Sequence, residues 1–282
     1  LSGSLYLVST PIGNLEDITL RALRILREDV SWIACEDTRQ THKLLQHFQI
    51  QKPLVSYHEH NETDRSAEIL AILARGESVA LVSDAGTPLI SDPGYRVVVE
   101  AIRQGMTVIP IPGPSAALAA LAASGLPVHE FRFVGFLPSK SMARRKMFEA
   151  MASETVTVIA YESPHRILET LADLGKLLPT ASLVLARELT KLHEEFLRGS
   201  ANEIRKTLES RGGVKGEITL LIAPGAQAES GDPLEEVAKL TAEGVDRMQA
   251  IKTVAKRLGL PKREVYRLVS APDNNPPDKR RD

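Results

Sequence analysis

Small residues, glycines and carboxylates gather at the ends of short apolar runs in this 282-residue chain, and they define the chemistry open to it. The clearest case is Leu81-Val-Ser-Asp-Ala-Gly-Thr-Pro-Leu-Ile-Ser-Asp-Pro-Gly94, which emerges from the run Val79-Ala-Leu-Val82. Such a run reads as a buried parallel strand, and in open α/β sheets ligands bind at the carboxyl ends of strands. Asp84 offers an acceptor to hydroxyls or ammonium groups, while Ala85 and Gly86 let a ligand approach the backbone. A polar turn without a ligand is the plain alternative for this loop taken alone. Ser91-Asp92-Pro93-Gly94 reads either as part of the same wall or as the start of the next helix.

Several common sites are missing. No G-x-G-x-x-G follows the first strand, and G-x-x-x-x-G-K-[ST], C-x-x-C, H-E-x-x-H and G-x-S-x-G are absent. His58 and His60 lie two apart and point oppositely on a strand, a poor start for a metal site, and no metal is expected. What remains suits a neutral or cationic ligand held mainly by backbone groups.

Composition bounds the class. With 43% hydrophobic and 25% charged residues the chain is globular and long enough for two domains. Its net charge of −1 gives no global basic field, so any nucleic-acid contact must come from local patches. The lone cysteine, Cys35, follows Trp32-Ile33-Ala34 and reads as a buried thiol in a reducing compartment. No apolar run reaches the ~18–20 residues of a membrane span and no signal peptide is apparent, so a cytoplasmic protein is expected.

The elements that position the loops alternate strand with helix. Strands are expected at Leu5–Val8, Val30–Cys35, Leu54–Ser56, Val79–Val82 and Thr107–Ile111. Between them fall helices from Asp17, as N-cap, to Leu26, from Thr41 to Phe48, from after Asn61 to Arg75, and from the organising loop to Gln104. Ser115 caps a helix of small residues, Ala116–Ala123. This pattern predicts a parallel α/β domain over 5–115. Leu1-Ser-Gly-Ser4 is set aside from the fold argument.

A second α/β domain, with more mixed strand direction, is expected over 116–224. Its strands fall at Phe131–Phe136, Thr155–Tyr161 and Ala181–Ala186, and Gly216–Ile222 closes the sheet; Ser163 and Pro164 open a helix as N-cap and first residue. Residues 225–233 read as a linker, 234–270 as three short helices, and 271–282 as a disordered tail. Between Arg247 and Ser270 seven basic residues face one acid, Glu264. That module resembles a helix-turn-helix, and a capping bundle with a solvated basic face fits equally.

Seven motifs then fall in order: Ser9-Thr-Pro-Ile-Gly-Asn-Leu-x-Asp17, Glu36-Asp-Thr-Arg39, Ser83–Gly94, Pro110-x-Pro-Gly-Pro-Ser-Ala116, Gly135-Phe-Leu-Pro138, Tyr161-Glu-Ser-Pro-His-Arg166 and Ala186-Arg-Glu-Leu-Thr-Lys191. Over about residues 5–224 they resemble the tetrapyrrole methylase superfamily of class III methyltransferases, and within it the branch that methylates small-subunit ribosomal RNA. The resemblance implies S-adenosyl-L-methionine in a cleft between two α/β domains, a homodimer, and 2′-O-methylation of a cytidine ribose in the decoding centre of 16S rRNA. It carries Pro11, Asp84, Ala85, Gly86, Ser115, Ala116 and Tyr161 to the cofactor.

In-line attack of a ribose 2′-oxygen on a sulfonium methyl needs positioning above all, with a base to assist. Glu36, Asp37, His58, Glu188 and Lys191 are candidate bases at expected strand ends, and Glu36, Arg39 and Lys191 are the catalytic set carried forward. Against them, Glu36, Asp37 and Arg39 are equally read as an ion pair or helix cap, and Arg187-Glu188 as a domain-interface pair. For the partner, small-subunit rRNA or the 30S subunit, two basic clusters are candidates for phosphate contact: Lys140, Arg144, Arg145 and Lys146, then Lys262, Arg263 and Arg267. Little aromatic interleaving accompanies them, so stacking on bases is not expected. A methylase of a tetrapyrrole or of a modified protein side chain, and a ligand-sensing helix-turn-helix regulator, are the other readings.

Overall fold

The computed structural model describes residues 2–223, 232–258 and 260–270. Most of the expected linker and the whole expected tail lie outside them.

The first domain holds five strands: β1 (Ser4–Val8), β2 (Trp32–Cys35), β3 (Leu54–Ser56), β4 (Val79–Val82) and β5 (Thr107–Ile111). They form one sheet in the order β3-β2-β4-β1-β5, with every pairing parallel. Between them run α1 (Leu20–Arg24), α2 (Thr38–His47), α3 (Glu62–Ala74) and α4 (Tyr95–Arg103). Side chains of β4 alternate as a pleated strand requires: Ala80 and Val82 join the core under α1 and α2, while Val79 and Leu81 join the core under α3 and α4. Helices thus cover both faces, and the strand order reverses at the β1/β4 pair. That puts the loops after β1 and β4 side by side at the ligand-binding edge.

The helix expected over Asp17–Leu26 is broken into pieces by its own caps. Asn14 Oδ1 accepts from Glu16 N–H at 3.0 Å to start a single 3₁₀ turn, Leu15–Asp17. Thr19, not Asp17, caps α1, its hydroxyl oxygen accepting from Ala22 N–H at 3.0 Å. A π turn, Ile25–Asp29, follows. Ser4 opens β1 and Gly3 N–H donates to Leu73 O of α3 at 2.7 Å, so residues set aside at the sequence level join the fold.

α5 (Ala116–Ala122) crosses to the second domain. There β6 (Phe131–Phe136), α6 (Ser141–Met151), β7 (Thr157–Glu162), α7 (Ile167–Leu177), β8 (Ser182–Arg187), β9 (Glu195–Gly199), α8 (Ala201–Glu209) and β10 (Ile218–Ala223) follow. The sheet order is β6-β7-β10-β8-β9, parallel only between β6 and β7. The strand expected to close the sheet, β10, therefore lies at its centre. The edge is β9, whose charged sequence Glu-Phe-Leu-Arg-Gly gave little strand signal. α6, α7 and α8 bury one face of this sheet. The other face, through Ile159, Val184, Ala186 and Leu221, packs against Ile12 and the alanines of α5, joining the two domains.

α7 begins at Ile167, three residues after the expected start at Pro164. The cause is Glu162, whose buried carboxylate accepts from Ser163 N–H (2.7 Å), Arg166 Nη2 (2.6 Å) and the Thr170 hydroxyl (2.6 Å) and holds 163–166 as a turn. Arg144, expected at an RNA surface, is only 1% exposed and pairs with Asp173 at 2.8 Å, tying α6 to α7. It cannot reach a phosphate; Lys140, Arg145 and Lys146 beside it are exposed.

α9 (Pro233–Ala242), α10 (Arg247–Arg257) and α11 (Lys262–Ser270) form the expected helical module around Val237, Ala250, Ile251, Val254 and Val265. Among the described residues no helix is long and apolar enough to cross a membrane. Breaking a buried pair from one side costs about 3–5 kcal/mol. Arg144→Ala is therefore expected to lower unfolding stability by about that much, and Arg145→Ala by less than about 0.5 kcal/mol, read by urea titration.

Candidate functional site

The loop after β4 is clipped to the loop after β1. Thr10 N–H donates to Gly86 O at 2.9 Å and Gly86 N–H returns a bond to Thr10 O at 3.0 Å. The Thr10 hydroxyl donates to Ser83 O at 3.0 Å, and the Ser83 hydroxyl donates to Gly86 O at 2.9 Å. Gly86 takes φ +84°, which glycine alone adopts without strain. Further on, Leu89 and Ser91 also take positive φ, 72° and 68°. Non-glycine residues there cost about 1–3 kcal/mol each, and the outcome of that geometry is a loop that turns Asp92 toward the cleft.

Between the domains lies a cavity of about 410 Å³, within the range of small-molecule sites. Asp84, Ala85, Gly86, Ser115, Ala116 and Tyr161 all line it. Pro11 does not; it is buried, and its neighbour Ile12 lines the wall instead. Ser115 caps α5, accepting from Leu118 N–H at 3.5 Å, so the first turn of the small-residue helix faces the cavity. The second domain adds Phe136 and Glu162 and, from the start of β10, Glu217 and Thr219. No lysine or arginine lines the cavity among the described residues.

Its electrostatics are those of crowded carboxylates. Burial, then the charges of Glu36 and Asp84, raise Asp92 to about 6, partly offset by the Ser83 hydroxyl. Burial also raises Asp84, although Asp84 Oδ1 accepts from Asp37 N–H at 3.1 Å. Glu36 stands outside the cavity wall and keeps an exposed side, yet partial loss of solvent, then the charges of Asp84 and Glu59, raise it. Burial raises the Tyr161 phenol, the Ala117 backbone opposes this, and Asp92 adds to it.

Two members of the expected catalytic set are held elsewhere. Arg39 is exposed and pairs with Asp37 at 2.7 Å, while Asp37 caps α2 by accepting from Arg39 N–H at 2.8 Å. Pair and cap are thus both present, and Arg39's hydrogen bonds hold Asp37 down at about 2. Lys191 donates to Glu188 and Glu217, each at 2.9 Å. Burial works to lower its pKa, but those two carboxylates outweigh it and raise it, so Lys191 stays a cation and is no base. Glu188 is lowered in turn by the Lys191 hydrogen bond. His58 is engaged in its own turn, where its ring Nε2 lies 3.1 Å from Asn61 Nδ2. Asp92, which the sequence left open between the wall and the next helix, lines the cavity, and so does Phe136 of the Gly135–Pro138 motif, for which the sequence suggested no role. Lys262, Arg263 and Arg267 are exposed on α11.

Two α/β domains in this arrangement are the fold that the chain shares with a methylase family. The model for Tetrapyrrole (Corrin/Porphyrin) Methylases matches residues 4–205. Uroporphyrin-III C-methyl transferase from Thermus thermophilus, solved in complex with S-adenyl homocysteine, superposes with a TM-score of 0.52 at 20% identity, covering 78% of this chain and 97% of that one. Curated relatives are closer in sequence. Ribosomal RNA small subunit methyltransferase I of Halalkalibacterium halodurans is 48% identical over 94% of this chain and 94% of its own length. The protein of the same name from Micromonospora olivasterospora is 46% identical over 95% and 87%. The chain belongs to the tetrapyrrole methylases, in the family of ribosomal RNA small subunit methyltransferase I.

With Asp92 at about 6, above the ~4 of a free carboxyl, the ligand-free folded chain holds an extra proton between those values. Ionisation of Asp92 therefore opposes folding above pH 6, and the opposition vanishes as pH falls below ~4. Asp92→Asn is expected to stabilise the ligand-free protein by about 1–2 kcal/mol at about pH 7, allowing for solvent screening, and not at about pH 3. Urea titrations at the two pH values test this.

Proposed function

We propose that this chain is an S-adenosylmethionine-dependent methyltransferase acting on small-subunit ribosomal RNA, at the 2′-oxygen of a cytidine ribose in the decoding centre. The observation that carries the reading is the acidic cavity between the domains, free of lysine and arginine among the described residues. A donor with a sulfonium and an ammonium suits it; a polyphosphate nucleotide does not. Asp84 accepts from hydroxyls or the amino group, and Ala85, Gly86, Ser115 and Ala116 permit contact with the backbone. Ile12 and Tyr161 supply apolar walls.

Bound there, the donor supplies a methyl on a leaving group that is already activated. The chain's own task is to align the ribose oxygen with that methyl, and positioning of this kind is worth roughly 7–11 kcal/mol. Asp92 is the base best matched to the task, since it lines the cavity and titrates near neutral pH. Exposed Lys140, Arg145 and Lys146 on and before α6, with Lys262, Arg263 and Arg267 on α11, would hold phosphates. The family resemblance adds a homodimer working in the cytoplasm on rRNA or the 30S subunit.

The direct test is incubation with methyl-labelled donor and purified small ribosomal subunits, followed by mapping of the label. Label on a cytidine ribose is expected; label confined to protein, or none, overturns the reading. The pH profile of kcat/KM should rise through about pH 6 to a plateau, because that ratio reports the base in the ligand-free enzyme and the base acts when ionised. Replacing Lys262, Arg263 and Arg267 by alanine should weaken RNA binding and flatten the slope of log K against log salt by about 2–3. Donor affinity measured by calorimetry should stay unchanged.

A further inference from the structure

Three aromatic rings meet at the mouth of the cavity because β6 is irregular. Phe133 pairs with Ile159 and Phe136 with Tyr161, so three steps along β6 match two along β7. The extra residue is a β-bulge, and Gly135 within it takes φ +68°. In a regular strand, residues three apart point to opposite faces. Here the bulge brings both rings onto Tyr161, edge to face, with centroids 5.0 Å away for Phe133 and 5.5 Å for Phe136. Bulges beside active sites commonly re-aim a side chain in this way.

The three rings differ in what they do. Phe133 and Tyr161 are half-buried and pack onto the core that joins the domains. Phe136 is 60% exposed although it lines the cavity, more than the next most exposed large apolar lining residue, Ile90, at 46%. Tyr161 braces it on one side, which fixes the ring with an open face. A ring held on one edge and open on its face is available for a flat partner to stack on. The bulge also abuts the Asp92 loop, since a Cβ on Gly135 would sit 3.3 Å from Ser91 Oγ. Four residues beyond the ring the exposed basic positions begin, at Lys140, then Arg145 and Lys146.

We propose that Phe136 is the platform on which the base of the target nucleotide stacks when it leaves the RNA and enters the cleft. The inference rests on the functional reading above and adds a substrate-binding residue to it. Sequence-tolerant stacking on an aromatic ring is how proteins hold unstacked bases, and a nucleotide drawn out so that its ribose enters the cleft offers its base to such a ring. The ring belongs to the second domain and stands on the segment that leads to the exposed basic positions, whereas Asp84 and Ser115 line the cavity from the first domain. That placement favours a base arriving with its phosphates over the donor held by the first-domain loops.

Phe136→Ala should raise KM for small ribosomal subunits about 10–100-fold and leave donor affinity, by calorimetry, within about twofold. Phe136→Trp should restore most of the activity. Because Trp32 is the only native tryptophan, F136W combined with W32F gives one fluorophore at the cavity mouth, and its emission should be quenched by small subunits. Loss of donor affinity in F136A would assign the ring to the donor and overturn the proposal. So would an unchanged KM, or emission unmoved by an RNA that the wild-type chain methylates. If the wild-type chain methylates no ribosomal RNA, the functional reading falls by itself, and quenching in the double variant then reports separately on base stacking.

Discussion

The cleft depends on how closely the loop after β1 can approach the second domain. At Gly13 a Cβ would lie 2.5 Å from Lys191 Cγ and 2.9 Å from both Leu189 O and Thr190 Oγ1. Only a glycine permits that contact, and Asn14 N–H donates to Thr190 Oγ1 at 3.0 Å just beyond it. On the other side of this contact, Glu188 and Thr190 bend at positive φ, 52° and 65°. Two loops far apart in sequence are thereby locked face to face. With Ile12 and α5 packed on the second sheet, they fix the spacing between the two walls of the site.

Once that spacing is fixed, the electrostatics follow. The first domain brings Asp84 and Asp92, with Glu36 close by, and the second brings Glu162 and Glu217. Two of these are already paired, Glu162 with Arg166 and Glu217 with Lys191, and Arg39 is held by Asp37, which leaves Asp84 and Asp92 without a cation of their own. The cavity therefore keeps an excess of negative charge, at a cost in stability that a cationic ligand would offset. Carboxylates with raised pKa values in a cleft are a recurring mark of functional sites.

Much of this was legible in the chain. Apolar runs and the turn residues behind them gave the parallel sheet of the first domain, the caps at Asp37 and Ser115, and the loop Asp84-Ala85-Gly86, since strand and loop signals are local. Local signals failed where side-chain and strand partners decide. Glu162 delays α7 because it binds Arg166 and Thr170, a triad that no propensity reports. Arg144 sits in a basic run and reads as surface, yet Asp173 on a neighbouring helix takes it inside. β9 reads as a loop because its strand character comes from pairing with β8.

By itself, then, the sequence determined the order of elements in the first domain, the family, and which loops carry small residues and acids, because periodicity and short motifs are written in neighbouring residues. Tertiary structure alone decided which acids share a cavity, which cations are already spent on them, and where the aromatic rings converge. Asp92 comes to face Asp84 and Tyr161 through two left-handed residues in its loop. Phe136 comes to stand beside Tyr161 through one extra residue in β6. Both are consequences of backbone geometry and of contacts between domains, and neither is encoded in the spacing along the chain.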